Sequence, residues 1–132
     1  GNVTGAKWSA GAGVAALLAA GLGGSHAITN GETATHAIIA ADAAHARACI
    51  VVVVVDEAFT EPTGTQTTVT VGEVGDEDAG IAIGVLHDAA LGAVFAGAFV
   101  NTINTAINAT SVAKTLTGTG GCSVTVLAIP TT

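Results

Sequence analysis

The densest chemistry in this chain is the carboxylate run Asp76-Glu77-Asp78, set between Gly75 and Ala79. Three carboxylates in a loop can offer oxygen ligands to Ca²⁺. The segment lacks the glycine at the sixth position and the glutamate at the twelfth that an EF-hand loop requires. Adjacent carboxylates on an extended chain also point to opposite sides. A solvated turn between two strands is therefore the plainer expectation.

Histidines supply the second possibility, at His26, His36, His45 and His87. Asp42 and His45 are three apart and would share a face if that segment were helical. His87-Asp88 offers a second pair, and the two pairs together would give mixed nitrogen and oxygen ligands for a transition metal. No spacing brings the pairs together, and histidines in polar loops are expected to face solvent. For nucleophilic catalysis the parts occur only singly, at Ser9, Ser25, Ser111, Ser123, Cys49 and Cys122. No G-x-S-x-G elbow is present, and neither cysteine lies in a catalytic context. The glycines of Gly118-Thr119-Gly120-Gly121 lack the Gly-Lys-Ser/Thr step into a helix, and Lys114 precedes them, so they do not form a phosphate loop. With only Trp8, Phe59, Phe95 and Phe99 aromatic, stacking platforms for sugars or single strands are also missing. The expectation is a protein with no catalytic residues, no cofactor and no metal.

The elements that would carry these residues read as strands. Gln66 to Val74 alternates Thr68 and Thr70 with Val69 and Val71, the period of a half-buried strand. Cys122 to Ile129 is rich in β-branched residues and ends at Pro130, as a terminal strand would. Ala109 to Thr117 reads similarly, and the glycines between the two predict a C-terminal hairpin. Ala46 to Val55 is a continuous apolar run, expected to be a strand buried on both faces. Asp56 to Gly64 follows as a polar loop. Ala79 to Leu86 and Leu91 to Val100 predict further strands, while Thr33 to Ala41 is open between strand and helix. Ser9 to Ala20 suits either a short helix or an extended arm, since Ala and Leu favour helix and its glycines oppose it.

The whole chain, at 132 residues, suits one domain. Turn signals recur at the spacing of an all-β sandwich or barrel, with no helical pattern long enough for parallel crossovers. The expected fold is all-β, an antiparallel β-sandwich or jelly-roll-like domain over residues 31–132, with an Ala/Gly-rich N-terminal arm or short helix over residues 1–30. Residues 1–27 have some marks of a signal peptide, with Lys7, an apolar run from Ala10 to Leu22 and Ser25-His26-Ala27. Gly11, Gly13, Gly21 and Gly23 break that run, and it is too short to span a bilayer, so the arm is preferred. With no Met anywhere and Gly1 at its start, the chain reads as processed or trimmed. Cys49 and Cys122 are expected as buried thiols; whether they lie close enough to pair is open.

Composition narrows the function. Three basic residues against 10 acidic give a net charge of -7, which all but excludes a nucleic-acid binder. Half the chain is hydrophobic and 10% is charged, against about 25% charged in ordinary soluble domains. A domain this apolar must expose apolar surface, and large exposed apolar patches mark contact sites. It reads as a subunit covered by neighbours, with its negative charge keeping the remainder soluble.

The stretch from Val55 to Ile129 resembles small virion structural proteins of tailed bacteriophages. The resemblance rests on Thr67-Thr68-Val69-Thr70-Val71-Gly72, then Gly75-Asp76-Glu77-Asp78, then Thr115 to Gly121 and the closing strand Ser123 to Ile129. It implies a β-sandwich or jelly roll, often trimeric, of the capsid decoration or cement type, bridging major capsid subunits on the outer surface of the virion. It implies no catalytic residues; that neither nucleic acid nor a membrane is a partner is expected from the charge and from the short apolar run instead. A tail or fibre-attachment component is the alternative within that class. A secreted calcium- or carbohydrate-binding module is the alternative outside it.

Overall fold

A computed structural model describes residues 22–60, 67–86, 89–112 and 119–131. Eight strands follow one another: β1 (Gly23–Thr29), β2 (Ala34–Ile39), β3 (Arg47–Glu57), β4 (Thr68–Glu73), β5 (Asp76–Ile83), β6 (Val94–Asn101), β7 (Ile107–Val112) and β8 (Gly121–Pro130). They form two four-stranded sheets, ordered β1-β8-β3-β6 and β2-β7-β4-β5, with every pair antiparallel. The chain thus crosses between sheets at almost every step, and this order is that of an eight-stranded jelly roll. The described residues contain no α-helix, so the all-β sandwich expected from the sequence is the fold.

Alternation drives the packing. Along β3, Cys49, Val51, Val53 and Val55 are buried, each opposite a residue of β8 whose side chain also points inward. Val124 and Val126 of β8 meet Val69 and Val71 of β4, Ile107 and Ala109 of β7, and Ile28, Ile39, Ile83 and Leu86 in one core. Fully burying a valine or isoleucine contributes about 1.5–3 kcal/mol, so this interleaved aliphatic layer is the principal driving force of the fold.

The two open sides of the sandwich, where edge strands of different sheets meet, are closed by glycine. A Cβ on Gly24 of β1 would sit 2.2 Å from the Ile38 carbonyl oxygen of β2, and one on Gly97 of β6 would sit 2.1 Å from the Gly80 oxygen of β5. A side chain at either position would force the sheets apart.

Several expectations are corrected. β7 and β8 do not form a hairpin: β7 lies between β2 and β4, and β8 between β1 and β3, in opposite sheets. Periodicity reveals a strand but not its partner, and each of these strands finds two neighbours elsewhere. β3 is buried on one face rather than both, with Ile50 half exposed. Thr33 to Ala41 resolves as β2. The sheet takes in Gly23–Thr29, within the stretch expected as an arm, because alternate inward residues from Gly24 to Ile28 pair along β8. The remainder of that stretch up to residue 21, including Lys7, Trp8 and the Ser9 to Ala20 segment, lies outside the described residues. So do 61–66, His87-Asp88 and 113–118 with Lys114.

Candidate functional site

Across the middle of each sheet the outer face carries no charged side chain, and the charged members of paired rows, Glu57 opposite Gly121 and Asp76 opposite Glu73, stand at strand ends. On the first sheet, registered rows run Ile129–Ala48–Val100, Leu127–Ile50–Ala98, Thr125–Val52–Ala96 and Ser123–Val54–Val94. Ile50, Val94, Val100 and Ile129 are 50%, 61%, 68% and 49% exposed. The β3–β6 half of this sheet is therefore a continuous aliphatic surface, and hydroxyls enter along β8 and at Ser25 and Thr29 of β1. On the second sheet the central row is Thr35–Thr110–Thr70–Ala82, flanked by Ala37–Asn108–Gly72. Those two rows are polar without charge, and the exposed carboxylates of Asp76, Glu77 and Asp78 stand beyond them at the start of β5. Outward β-branched residues satisfy strand geometry on both faces, but only the first presents a large apolar area to water.

Charge is instead gathered at the strand ends. At the end formed by the β2–β3, β4–β5 and β6–β7 connections, the buried Arg47 donates from Nε to Asn101 Oδ1 at 2.9 Å, and from Nη2 to the Ala40 and Thr105 carbonyls at 3.0 and 3.4 Å. Asn101 is fully buried, and its amide donates to Glu73 Oε2 at 2.7 Å and to the Thr105 carbonyl at 2.9 Å. Glu73 also accepts from the Thr102 backbone and hydroxyl. Burial pushes the Glu73 carboxyl up, but the Thr102 and Asn101 hydrogen bonds outweigh it and hold its pKa below the ordinary value. The arrangement relays Arg47 to Glu73 through one amide and ties three loops together. The hydrogen bonds of the relay close on groups of the protein itself, so it is a structural network.

Asp76, Glu77 and Asp78 open β5 rather than forming a turn; the turn precedes them at Val74-Gly75. All three are exposed. A hydrogen bond with Asp78, slight burial and the charges of Asp78, Glu73 and Glu77 raise the Asp76 pKa. Asp42 and His45 do meet, with His45 Nδ1 3.2 Å from Asp42 Oδ2, but in a loop rather than on a helix. Asp42 Oδ1 also accepts from the Ala44 and His45 backbone N–H groups. The Ala44 bond leads in lowering the Asp42 pKa, against slight burial and helped by His45. His87 and Asp88 lie outside the described residues.

The structure brings together a set that sequence reasoning missed. His26 of β1 and His36 of β2 stack with ring centroids 3.8 Å apart. Glu32, from the turn joining those strands, bonds His36 Nε2 at 2.5 Å. The signal was present in the alternation: His26 and Ile28 share the inward face of β1, and His36 and Ile38 that of β2. Reading both segments as strands would have aimed the two rings at one side of the sandwich.

Ser111 and Ser123 are structural, donating to Glu32 and Asp56. Cys49 and Cys122 are buried free thiols. Their strands are neighbours, yet Cys49 pairs with Ala128 and Cys122 with Val55, an offset of six residues, or about 20 Å. That distance prevents a disulfide between them. Burial raises the pKa of both, that of Cys122 to about 12 with added repulsion from Asp56 and Glu32.

With this geometry in view, likeness to solved structures is informative. The fold is similar to that of a chain from the acidic stable capsid structure of Helicobacter pylori bacteriophage KHP30, with a TM-score of 0.56 and 15% identity over 81% of this chain and 89% of that one. It is also similar to a chain of the cyanophage Pam1 capsid asymmetric unit, with a TM-score of 0.55 and 17% identity over 82% of each. No protein-family model matches the chain, and no curated protein does. At these identities the likeness is one of fold. Among the described residues, no helix is long and apolar enough to cross a membrane.

Proposed function

We propose that this chain is a structural protein of a bacteriophage particle, a decoration or cement subunit that packs the outer face of its β1-β8-β3-β6 sheet against neighbouring subunits. The observation that carries this reading is the charge-free aliphatic surface centred on Ile50, Val94 and Val100, on a jelly roll similar to chains of two phage capsids. An isolated soluble domain has no use for so large an apolar face, whereas a subunit gains stability by covering it. The excess of acidic residues suits the outside of a shell, away from packaged DNA. In this role the chain is not an enzyme, and its partners are the major capsid protein and copies of itself, most simply as a trimer.

Native mass spectrometry of the full chain tests the reading. A closed oligomer is expected, and Ile50→Glu together with Val100→Glu should dissociate it into folded monomers. A chain that stays monomeric at high micromolar concentration, or an oligomer indifferent to both charges, would overturn it.

A further inference from the structure

We propose that His26, Glu32 and His36 form a binding site for a divalent transition ion, Zn²⁺ foremost, that fastens the β1–β2 side of the sandwich. One ligand atom from each residue lies within 4.8 Å of the others. Two imidazoles with one carboxylate suit borderline ions such as Zn²⁺ far better than Ca²⁺ or Mg²⁺, which prefer all-oxygen sets. The carboxylate offsets half the charge of the ion, and an open coordination position remains for water or a neighbouring group.

The surroundings favour ordered ligands. Glu32 and His36 side chains are 29% and 20% exposed, so water reaches the site but does not flood it. Ser111, fully buried, donates from Oγ to Glu32 Oε1 at 3.5 Å, the kind of outer contact that orients a ligating carboxylate. Gly24, two residues before His26, lets the β1 and β2 backbones approach closely enough for both rings to share one space.

Stacked rings cannot aim their in-plane lone pairs at one ion. Binding therefore requires one imidazole to turn out of the stack, about its side-chain torsions, until both nitrogens lie about 2.0–2.1 Å from the metal. The consequence is mechanical. β1 is an edge of the first sheet and β2 an edge of the second, so a shared ion bridges two layers that no backbone ladder joins.

The test uses the full chain, first stripped with a chelator. Calorimetric titration with Zn²⁺ should show one site per chain. Co²⁺ in its place should give the visible absorption of a low-coordinate nitrogen and oxygen site. At a hundredfold excess over Kd, Zn²⁺ should raise Tm by roughly 8–10 °C. His36→Gln should weaken binding at least about tenfold, the loss that even an outer partner of a ligand can cause. Because His36→Gln also removes the Glu32 hydrogen bond, His26→Asn is the companion variant: it keeps that bond and should lose affinity equally. His45→Gln should bind as the parent does. Absence of a saturable Zn²⁺ site, equal protection by Ca²⁺, or undiminished binding in His26→Asn would each overturn the proposal.

Discussion

Replacing Arg47 by Met tests whether the buried relay at the loop end holds the sandwich shut. Arg47 is 6% exposed and, among the described residues, no carboxylate forms an ion pair with it. Its charge is met by Asn101 Oδ1 and two carbonyls. Hydrogen bonds to a charged group contribute about 1.5–3 kcal/mol each. The bonds at 2.9 and 3.0 Å count fully, and the one at 3.4 Å lies at the margin of useful geometry. Two such bonds give about 3–6 kcal/mol, from which the relieved desolvation of the guanidinium must be subtracted. Methionine fills the aliphatic volume but leaves Asn101 Oδ1 and the Ala40 carbonyl without this donor. A net loss of about 3 kcal/mol follows, a large share of the roughly 5–15 kcal/mol that holds a domain together. Urea denaturation should show the midpoint falling with an unchanged slope. Arg47→Lys, which keeps the charge but not the fork, should fall between the two. A loss below about 1 kcal/mol for Arg47→Met would refute the relay as a source of stability.

Four further outcomes follow from the same structure. Glu73 and Asp42 have folded pKa values below the ordinary 4.5 and 3.8, so their stabilisation is complete above those values and lost as pH falls through the lowered ones. Urea midpoints should hold from neutral pH to about pH 5 and then drop, more shallowly in Glu73→Gln. Asp76 has the opposite sign: its raised pKa makes its charge a cost at neutral pH, so Asp76→Asn should raise Tm at pH 7, with the gain vanishing in acid. Gly97→Ala drives a methyl into the Gly80 backbone and should cost about 1–3 kcal/mol or more by chemical denaturation. Cys49 and Cys122 should resist an aromatic disulfide reagent until the protein unfolds, because both are buried and their thiolates disfavoured.

Strands were legible wherever side chains alternate. Thr68 to Val71 and Cys122 to Ile129 announce their elements because a β-branched residue on every second position fits a pleated, half-buried surface. Partners were not legible, since the period of two is the same whichever strand lies alongside. Hence β7 and β8, adjacent in sequence, read as a hairpin although they lie in different layers. The His26–Glu32–His36 set stayed hidden for a related reason. Ligand spacing is easily recognised on a helix, where residues three or four apart share a face. Here the set depends on a crossing between sheets, and only the fold brings its ends together.

The valines of β3 pose a sharper question about what a sequence encodes. The run Val51 to Val55 reads as a strand covered on both faces, yet only Val51, Val53 and Val55 meet the core of the chain itself. Folding the monomer needs apolar residues on one face; serine, threonine or lysine would serve the other and would protect the adjoining edge. The outward positions are instead Ile50, Val52 and Val54, and β6 beside them offers Val94, Ala96, Ala98 and Val100. On the Thr-faced second sheet the same geometric demand is met by hydroxyls, so strand propensity alone does not dictate an aliphatic exterior. On the proposed function, the difference between the two faces is a difference in what covers them. A periodic pattern records burial in the working assembly as well as in the isolated fold. The misreading of β3 as doubly buried then has a physical cause if a neighbour supplies its second layer. Charging Ile50 separates the alternatives, because a glutamate there leaves the core untouched and acts only where that second layer exists.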